Sequence, residues 1–337
     1  MASSSPTVML RRPAGNLLLG GMVVIVATLV AAARLAGIGR SALAETFVLI
    51  FTSIVVEALP FVLLGAIVSA GIAVLVPNRA FERLARLPLP LQVPGAALGG
   101  LAFPVCECGS VPVARRLISR GMHPAAGLAF MLASPIMNPI VLASTWIAYQ
   151  GRGLALQMVL GRAGLGLLLA MVAGWAIGGE GARDILRARP DDEHPAPATP
   201  TSPGDRIRAF TDHLAADFYF MGKFVVIGSA LAAALQAVVP QTLLSGVART
   251  PVLGALALMA LAFLLSLCSE ADAFVAVSFV QFPIGSQLAF LVFGPVVDAK
   301  LAFLYGATFR RRFVVKLVVV AAPIVLAGSL WFEVLMR

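Results

Sequence analysis

Long apolar windows alternate with short, arginine-bearing loops along most of the chain. The windows cover residues 16–38, 45–77, 94–120, 124–150, 154–178, 214–240, 251–281, 283–305 and 317–336. Each reaches or exceeds the roughly 20 residues that a helix needs to cross a bilayer. In lipid, every backbone N–H and C=O must be satisfied within the protein, so such windows predict helices. The expected fold class is all-α, a polytopic transmembrane helical protein. The first window is longer than the apolar part of a signal peptide, so a retained helix is expected there, although Ala31-Ala32-Ala33 resembles a cleavage region.

Two windows are interrupted by polar residues. Residues 104–112 read Pro-Val-Cys-Glu-Cys-Gly-Ser-Val-Pro, and residues 268–272 read Cys-Ser-Glu-Ala-Asp. Irregular backbone at membrane depth survives only where protein buries it or where it lines a cavity. Ionisable groups at that depth are functional-site candidates by default. The stretches Ser134–Pro139 and Gly294–Asp298 mark two further non-helical spots, because proline frees a backbone carbonyl.

These features recur in order. Residues 51–77 align without a gap on 214–240, placing Gly65 on Gly228 and Phe61 on Phe224. Further along, Cys106 falls on Cys268, Pro135 on Pro295 and Asn138 on Asp298. Matches of Leu and Ala arise easily by chance in apolar segments, whereas ordered matches of Gly, Cys and Pro do not. The expected organisation is an N-terminal segment with an extra helix (1–44), a first repeat (45–178), a polar linker (179–212) and a second repeat (213–337).

Charge orients the repeats. Arginines cluster in the loops at 79–86, 115–120 and 310–312, and in the linker. Such loops face the cytoplasm. A single crossing by residues 94–120 would strand Arg115, Arg116 and Arg120 outside. A re-entrant hairpin turning at Cys106–Ser110 keeps them inside, with arms of roughly 18 Å that reach about mid-bilayer. Each repeat then crosses an odd number of times, and the two halves run in opposite senses. The expectation is an inverted repeat whose broken segments meet near the midplane, an arrangement common among secondary transporters.

Composition narrows the function. The chain is 60% hydrophobic and 12% charged, against about 25% charged in a soluble domain. The net charge of +9 is accounted for by the loop arginines, and no basic run interleaved with aromatics suggests nucleic acid. Three cysteines are too few, and too deeply placed, for a disulfide scaffold. No histidine pair has metal-ligand spacing, and neither a phosphate-binding loop nor a nucleophile elbow occurs, so no enzyme activity and no cofactor are expected.

The breaks supply candidate chemistry. Residues two apart in an extended turn point to one side, so Cys106 and Cys108 can grip one soft ion, with Cys268 as a third sulfur. Thiolates favour Cu(I), Zn(II) and, by the same softness, trivalent arsenic. Buried cysteines are also commonly inert. Glu107 and Asn138 join the substrate-binding candidates. Glu270, Asp272, Asp298 and Glu57 are candidates for proton coupling, and the first two also suit a helix N-terminus. Lys223 falls opposite Pro60 in the repeat and suits either a pathway role or an interface position.

The stretch Phe103 to Pro112, followed by Ala129-Phe130, Ser134-Pro135 and Asn138-Pro139, resembles the predicted permease family of the ArsP and YraQ type. The likeness extends over about residues 45–336 and implies an inner-membrane permease. Some relatives are implicated in efflux of trivalent organoarsenicals, with cysteines as ligands. The expected function is therefore a secondary permease exporting a soft, thiol-reactive solute, such as a trivalent arsenical or soft metal ion. Its expected partners are that solute and the lipid bilayer. A membrane thiol–disulfide carrier and an accessory subunit with inert thiols are the alternatives.

Overall fold

The computed structural model describes residues 42–77, 87–103, 105–179, 181–187, 203–238 and 250–336. The expected first helix, the 79–86 loop and residues 188–202 of the linker lie outside the described residues. Among the described residues the structure is helical, apart from one isolated bridge between Leu186 and Phe309.

The first half contains α1 (Ala42–Leu75), α2 (Leu89–Gly99), α3 (Glu107–Ser119), α4 (Pro124–Met137), α5 (Pro139–Gln150) and α6 (Ala155–Gly178). After a single turn, α7 (Ala182–Ile185), the second half contains α8 (Pro203–Val238), α9 (Pro251–Leu265), the short α10 (Asp272–Ala276), α11 (Ile284–Phe293), α12 (Ala299–Thr308) and α13 (Arg311–Leu335). Spans of sufficient length and apolarity to cross a membrane are Ala44–Leu75, Pro124–Gln150, Ala155–Gly178, Gly204–Ala237 and Arg311–Leu335. The protein is an all-α polytopic membrane protein.

Helix α4 is the axis of the molecule. All of its residues, Pro124 through Met137, are buried. It packs on α2, α3 and α6. By contrast, α1 leaves Leu49, Val56, Leu63 and Ile67 on an exposed apolar face, as a lipid-facing helix must. Helices α1 and α8 pack side by side, α8 also packs on α12, and α1 on α3.

The breaks differ in detail from expectation. The first lies ahead of Glu107, not at Cys106–Ser110: a short 3₁₀ turn, Gly100–Ala102, is followed by Phe103 in extended backbone, and Cys106, also extended, is the N-cap of α3. The helix resumes at Glu107 because the first turn needs no upstream hydrogen-bond partners and its positive dipole end favours an acidic residue. Cys106 and Cys108 therefore do not alternate along one extended turn; the second thiol belongs to the helix. In the second break, α9 ends at Ser266 in the left-handed region (φ 48°). The Ser266 hydroxyl accepts the backbone N–H of Ala299, tying this break to the start of α12 at 3.1 Å.

Two boundaries also move. Helix α8 begins at Pro203, inside the stretch expected to be linker, where Pro203 at the first position and Asp205 in the first turn are helix-start signals that hydropathy overlooks. Helix α13 takes in the arginine cluster as its first turn.

Side-chain contacts identify two faces. On one, Arg120 binds the carbonyls of Ala73 and Val76 at the end of α1. Arg115 binds the carbonyls of Arg187 and Thr308, and Arg310 N–H donates to Ile185. The C-terminal ends of α1, α3 and α12 and the segment after α6 thus share this basic face. On the other, Arg152 after α5 reaches Val277 and Gln287, while Gly285 N–H donates to Glu333 near the end of α13.

Candidate functional site

The two breaks meet. Cys106, at the N-cap of α3, lines one cavity with Cys108 and Cys268. All three cysteines are buried and free. The first turn of α3 also buries Glu107, at 1% exposure. Its Oε2 accepts a hydrogen bond from Ser269 in the second break at 3.1 Å. Ser269 Oγ also lies 3.4 Å from Glu270 Oε2, so the hydroxyl stands between the two carboxylates, with its proton on one at a time. The Cys268 thiol donates to Glu270 Oε2 at 2.6 Å.

These contacts bring one donor atom each from Glu107, Cys268 and Glu270 to within 4.8 Å of one another. Donors around a zinc-like ion, at bonds of about 2.0–2.3 Å, lie roughly 3.3–3.8 Å apart. A modest contraction would close this trio on an ion. The compact donor set is one sulfur and two oxygens, with Cys106 beside it, instead of the three-sulfur set expected. A small cavity lies against it, lined by Ile54, Glu57, Ala58, Cys106, Glu107, Cys108, Cys268 and Lys300. It offers about 10 Å³ to the centre of a water molecule, about the minimum for one water.

Lys300, in the first turn of α12, is the cation of the site. Its ammonium lies 2.7 Å from Glu107 Oε1 and 3.7 Å from Asp298 Oδ2, and it is 3% exposed. Asp298 is the N-cap of α12: its Oδ1 accepts Leu301 N–H at 2.6 Å, and its buried Oδ2 faces the Lys300 ammonium. Asn138 holds the corresponding place in the first half, where its Oδ1 accepts Ile140 N–H at 2.9 Å to cap α5. It is not among the residues lining the cavity.

Asp272 is engaged elsewhere. Arg162, fully buried in α6, grips both its oxygens at 2.8 and 2.7 Å and also binds Thr145 and the Ser269 carbonyl. This fork fixes the second break against α5 and α6. Glu57 is half-buried on α1 and lines the cavity. Lys223 lines no part of the cavity: it is exposed on α8, with its ammonium 5.1–5.9 Å from the ring centres of Tyr219, Phe220 and Phe224.

Sequence reading therefore found the thiols and acids of the breaks and missed Lys300, Arg162 and Ser269. A signal existed for the first two: each is a lone cation within an apolar window, the kind of residue that marks sites inside membranes.

The site is flanked by polar locks. Roughly 13 Å along α3 from Glu107, at 1.5 Å per residue, Arg116 pairs with Asp217 of α8 at 2.8 Å, and both engage Ser69 of α1. Towards the opposite face, Tyr149 and Arg152 bind Gln287 Oε1 at 2.9 and 3.3 Å.

Comparison with known proteins bears on the family of the chain. The family described as "Predicted permease", of the ArsP type, matches residues 43–334. UPF0718 protein YcgR of Bacillus subtilis (strain 168) is 41% identical over 282 residues, covering 83% of this chain and 95% of the relative. A protein of Streptococcus mutans serotype c, with the provisional name two-component membrane permease complex subunit, is 32% identical over 279 residues, covering 82% and 91%. No solved structure matches the chain.

Proposed function

Since the chain belongs to this family of predicted permeases, we propose that it is a secondary permease exporting a soft, thiol-binding cation. The breaks of two inverted repeats would form its binding site, and the basic face would be cytoplasmic. The observation that carries this reading is the convergence of Cys268, Glu107 and Glu270 from the two breaks on one another, beside a cavity that Glu107, Cys268 and Cys106 line. Among the described residues, Glu57, Glu107 and Asp298 stand around Lys300 and Glu270 joins Glu107 through Ser269, while the Arg162–Asp272 pair is neutral in itself. Buried charges are retained when paired or when they coordinate cations. A surplus of carboxylates beside thiols favours a thiophilic cation, Zn(II) or Cd(II), over an uncharged trivalent arsenical. It also favours binding over thiol–disulfide exchange, for which these carboxylates have no role.

Arg116–Asp217–Ser69 and Tyr149–Arg152–Gln287 would be the inner and outer closures of an alternating-access cycle, each joining residues of the two halves. The name of the Streptococcus relative extends the proposal to a second subunit, which co-purification from the native membrane would identify. The test of function is elemental analysis of cells with and without the protein after exposure to Zn(II), Cd(II) or trivalent methylarsenical. Lower cellular Zn or Cd with the protein present, abolished by Cys268→Ser, is the expected outcome. Lower arsenic alone would move the substrate to the arsenicals, and no difference in any element would defeat the export reading.

A further inference from the structure

The cation site already holds a cation of its own. Lys300 is tethered to α12, and its ammonium sits on Glu107, one of the three clustered donors, at 2.7 Å. A metal ion using Glu107 and the Lys300 ammonium would compete for the same carboxylate, and two positive charges that close in a buried site repel strongly. The ammonium needs somewhere else to go. Asp298, two residues away on the same turn, offers it: Oδ2 is buried and lies 3.7 Å from Nζ, already within ion-pair distance but a full ångström farther than Glu107 Oε1. The other oxygen of Asp298 is anchored by Leu301 N–H, so the carboxylate stays in place to receive the ammonium. Helix α12 itself is held close, because Gly228 of α8 packs directly on the Lys300 backbone: a Cβ there would come 2.7 Å from Lys300 Cα.

We propose that Lys300 is an internal stand-in for the transported cation, resting on Glu107 when the site is empty and moving to Asp298 when a soft divalent metal ion binds Glu107, Cys268 and Glu270. The proposal rests on the cation reading of the site. It assigns Lys300 a role in exchange: the ammonium neutralises Glu107 while the empty carrier returns, and it lowers affinity enough for release. Lys300 keeps its proton throughout; only its partner changes.

The arrangement sets up a thermodynamic cycle that electrostatics alone does not imitate. Cd(II) is titrated into the purified full-length protein in lipid nanodiscs and followed by the thiolate-to-metal charge-transfer absorption. Lys300→Met removes the competitor, so binding tightens, on the order of tenfold or more. Asp298→Asn removes the second resting place while keeping a side chain able to cap α12, as Asn138 caps α5 in the other half. Lys300 then stays on Glu107, and binding weakens by a similar factor. In the Lys300→Met background, Asp298→Asn should have little further effect, because no ammonium remains to be parked. An equal weakening in both backgrounds would show that Asp298 acts only through its field and would overturn the two-position role. Unchanged or weaker binding by Lys300→Met, with tight binding by the native chain, would overturn displacement while leaving the metal site standing. Absence of Cd(II) binding to both the native chain and Lys300→Met would defeat the metal site and this inference together. Should Lys300→Met fail to fold, Lys300→Arg takes its place: the bulkier, forked cation should hold Glu107 more firmly and weaken Cd(II) binding, and tighter binding would count against displacement.

Discussion

Arg162 shows how much depends on a single buried charge. Its guanidinium is wholly buried, grips both oxygens of Asp272 and holds the Ser269 carbonyl, so it positions the whole second break. Breaking such a pair by removing one partner leaves an uncompensated charge and costs about 3–5 kcal/mol, whereas replacing both partners with apolar residues is often nearly neutral. Arg162→Leu should therefore lower the thermal unfolding temperature in detergent sharply, and Arg162→Leu with Asp272→Leu should recover much of the loss. A double variant as unstable as the single one would show that the break depends on Arg162 for more than charge balance. The cysteines and acids of the breaks were legible in the sequence because polar residues so deep in an apolar run demand an explanation. Lys300 carried a weaker signal of the same kind, but its pairing was not legible, because its partner Glu107 is distant in sequence and no periodicity links them. Its position in the first turn of α12 becomes meaningful only once the breaks are seen to meet.

At the scale of elements, two close approaches set the site. The Gly65 backbone of α1 packs on Gly109 of α3, where any Cβ would collide with the Gly109 backbone. Gly65→Val is expected to push α1 from the start of α3, which carries Cys106 and Glu107, and to reduce Cd(II) binding by an order of magnitude or more, roughly the effect of overpacking by 1–3 kcal/mol. Unaltered affinity with unaltered stability would mean that the approach has no bearing on the site. The match of Gly65 to Gly228 came from alignment alone, and each glycine indeed sits at a close helix contact, although the contacted helices, α3 and α12, do not correspond in the alignment. The kinks at Asn138 and Asp298 were also legible as breaks. Their capping role was not, because a cap and a kink leave the same mark, a polar residue beside proline or glycine. The length of α8 was underestimated for a different reason: its first turns are polar, and hydropathy sees only the apolar remainder.

For the whole molecule, the proposal requires closures that alternate. Arg116→Ala should loosen the lock on the basic face and expose Cys268 to a membrane-impermeant thiol reagent from that side, while Tyr149→Phe with Arg152→Gln should expose it from the other. Labelling from the same side in both variants would contradict alternating access. Sidedness follows the same reasoning: cysteines placed at Arg120 and Arg311 should label from one side of the membrane and one at Arg152 from the other. Hydropathy and the arginine loops gave the helical membrane architecture directly, because lipid imposes it on any such chain. The specific cargo is less legible, since it depends on how a few donors assemble across the two halves. The most direct measurement is Cd(II) flux into proteoliposomes containing the purified chain, with Cys268→Ser and Glu107→Gln as companions. The account predicts saturable flux by the native chain and loss of about tenfold or more in each variant, in keeping with the effect of removing a buried ligand or charge. Native flux no greater than that of protein-free liposomes, or undiminished flux in both variants, would contradict it.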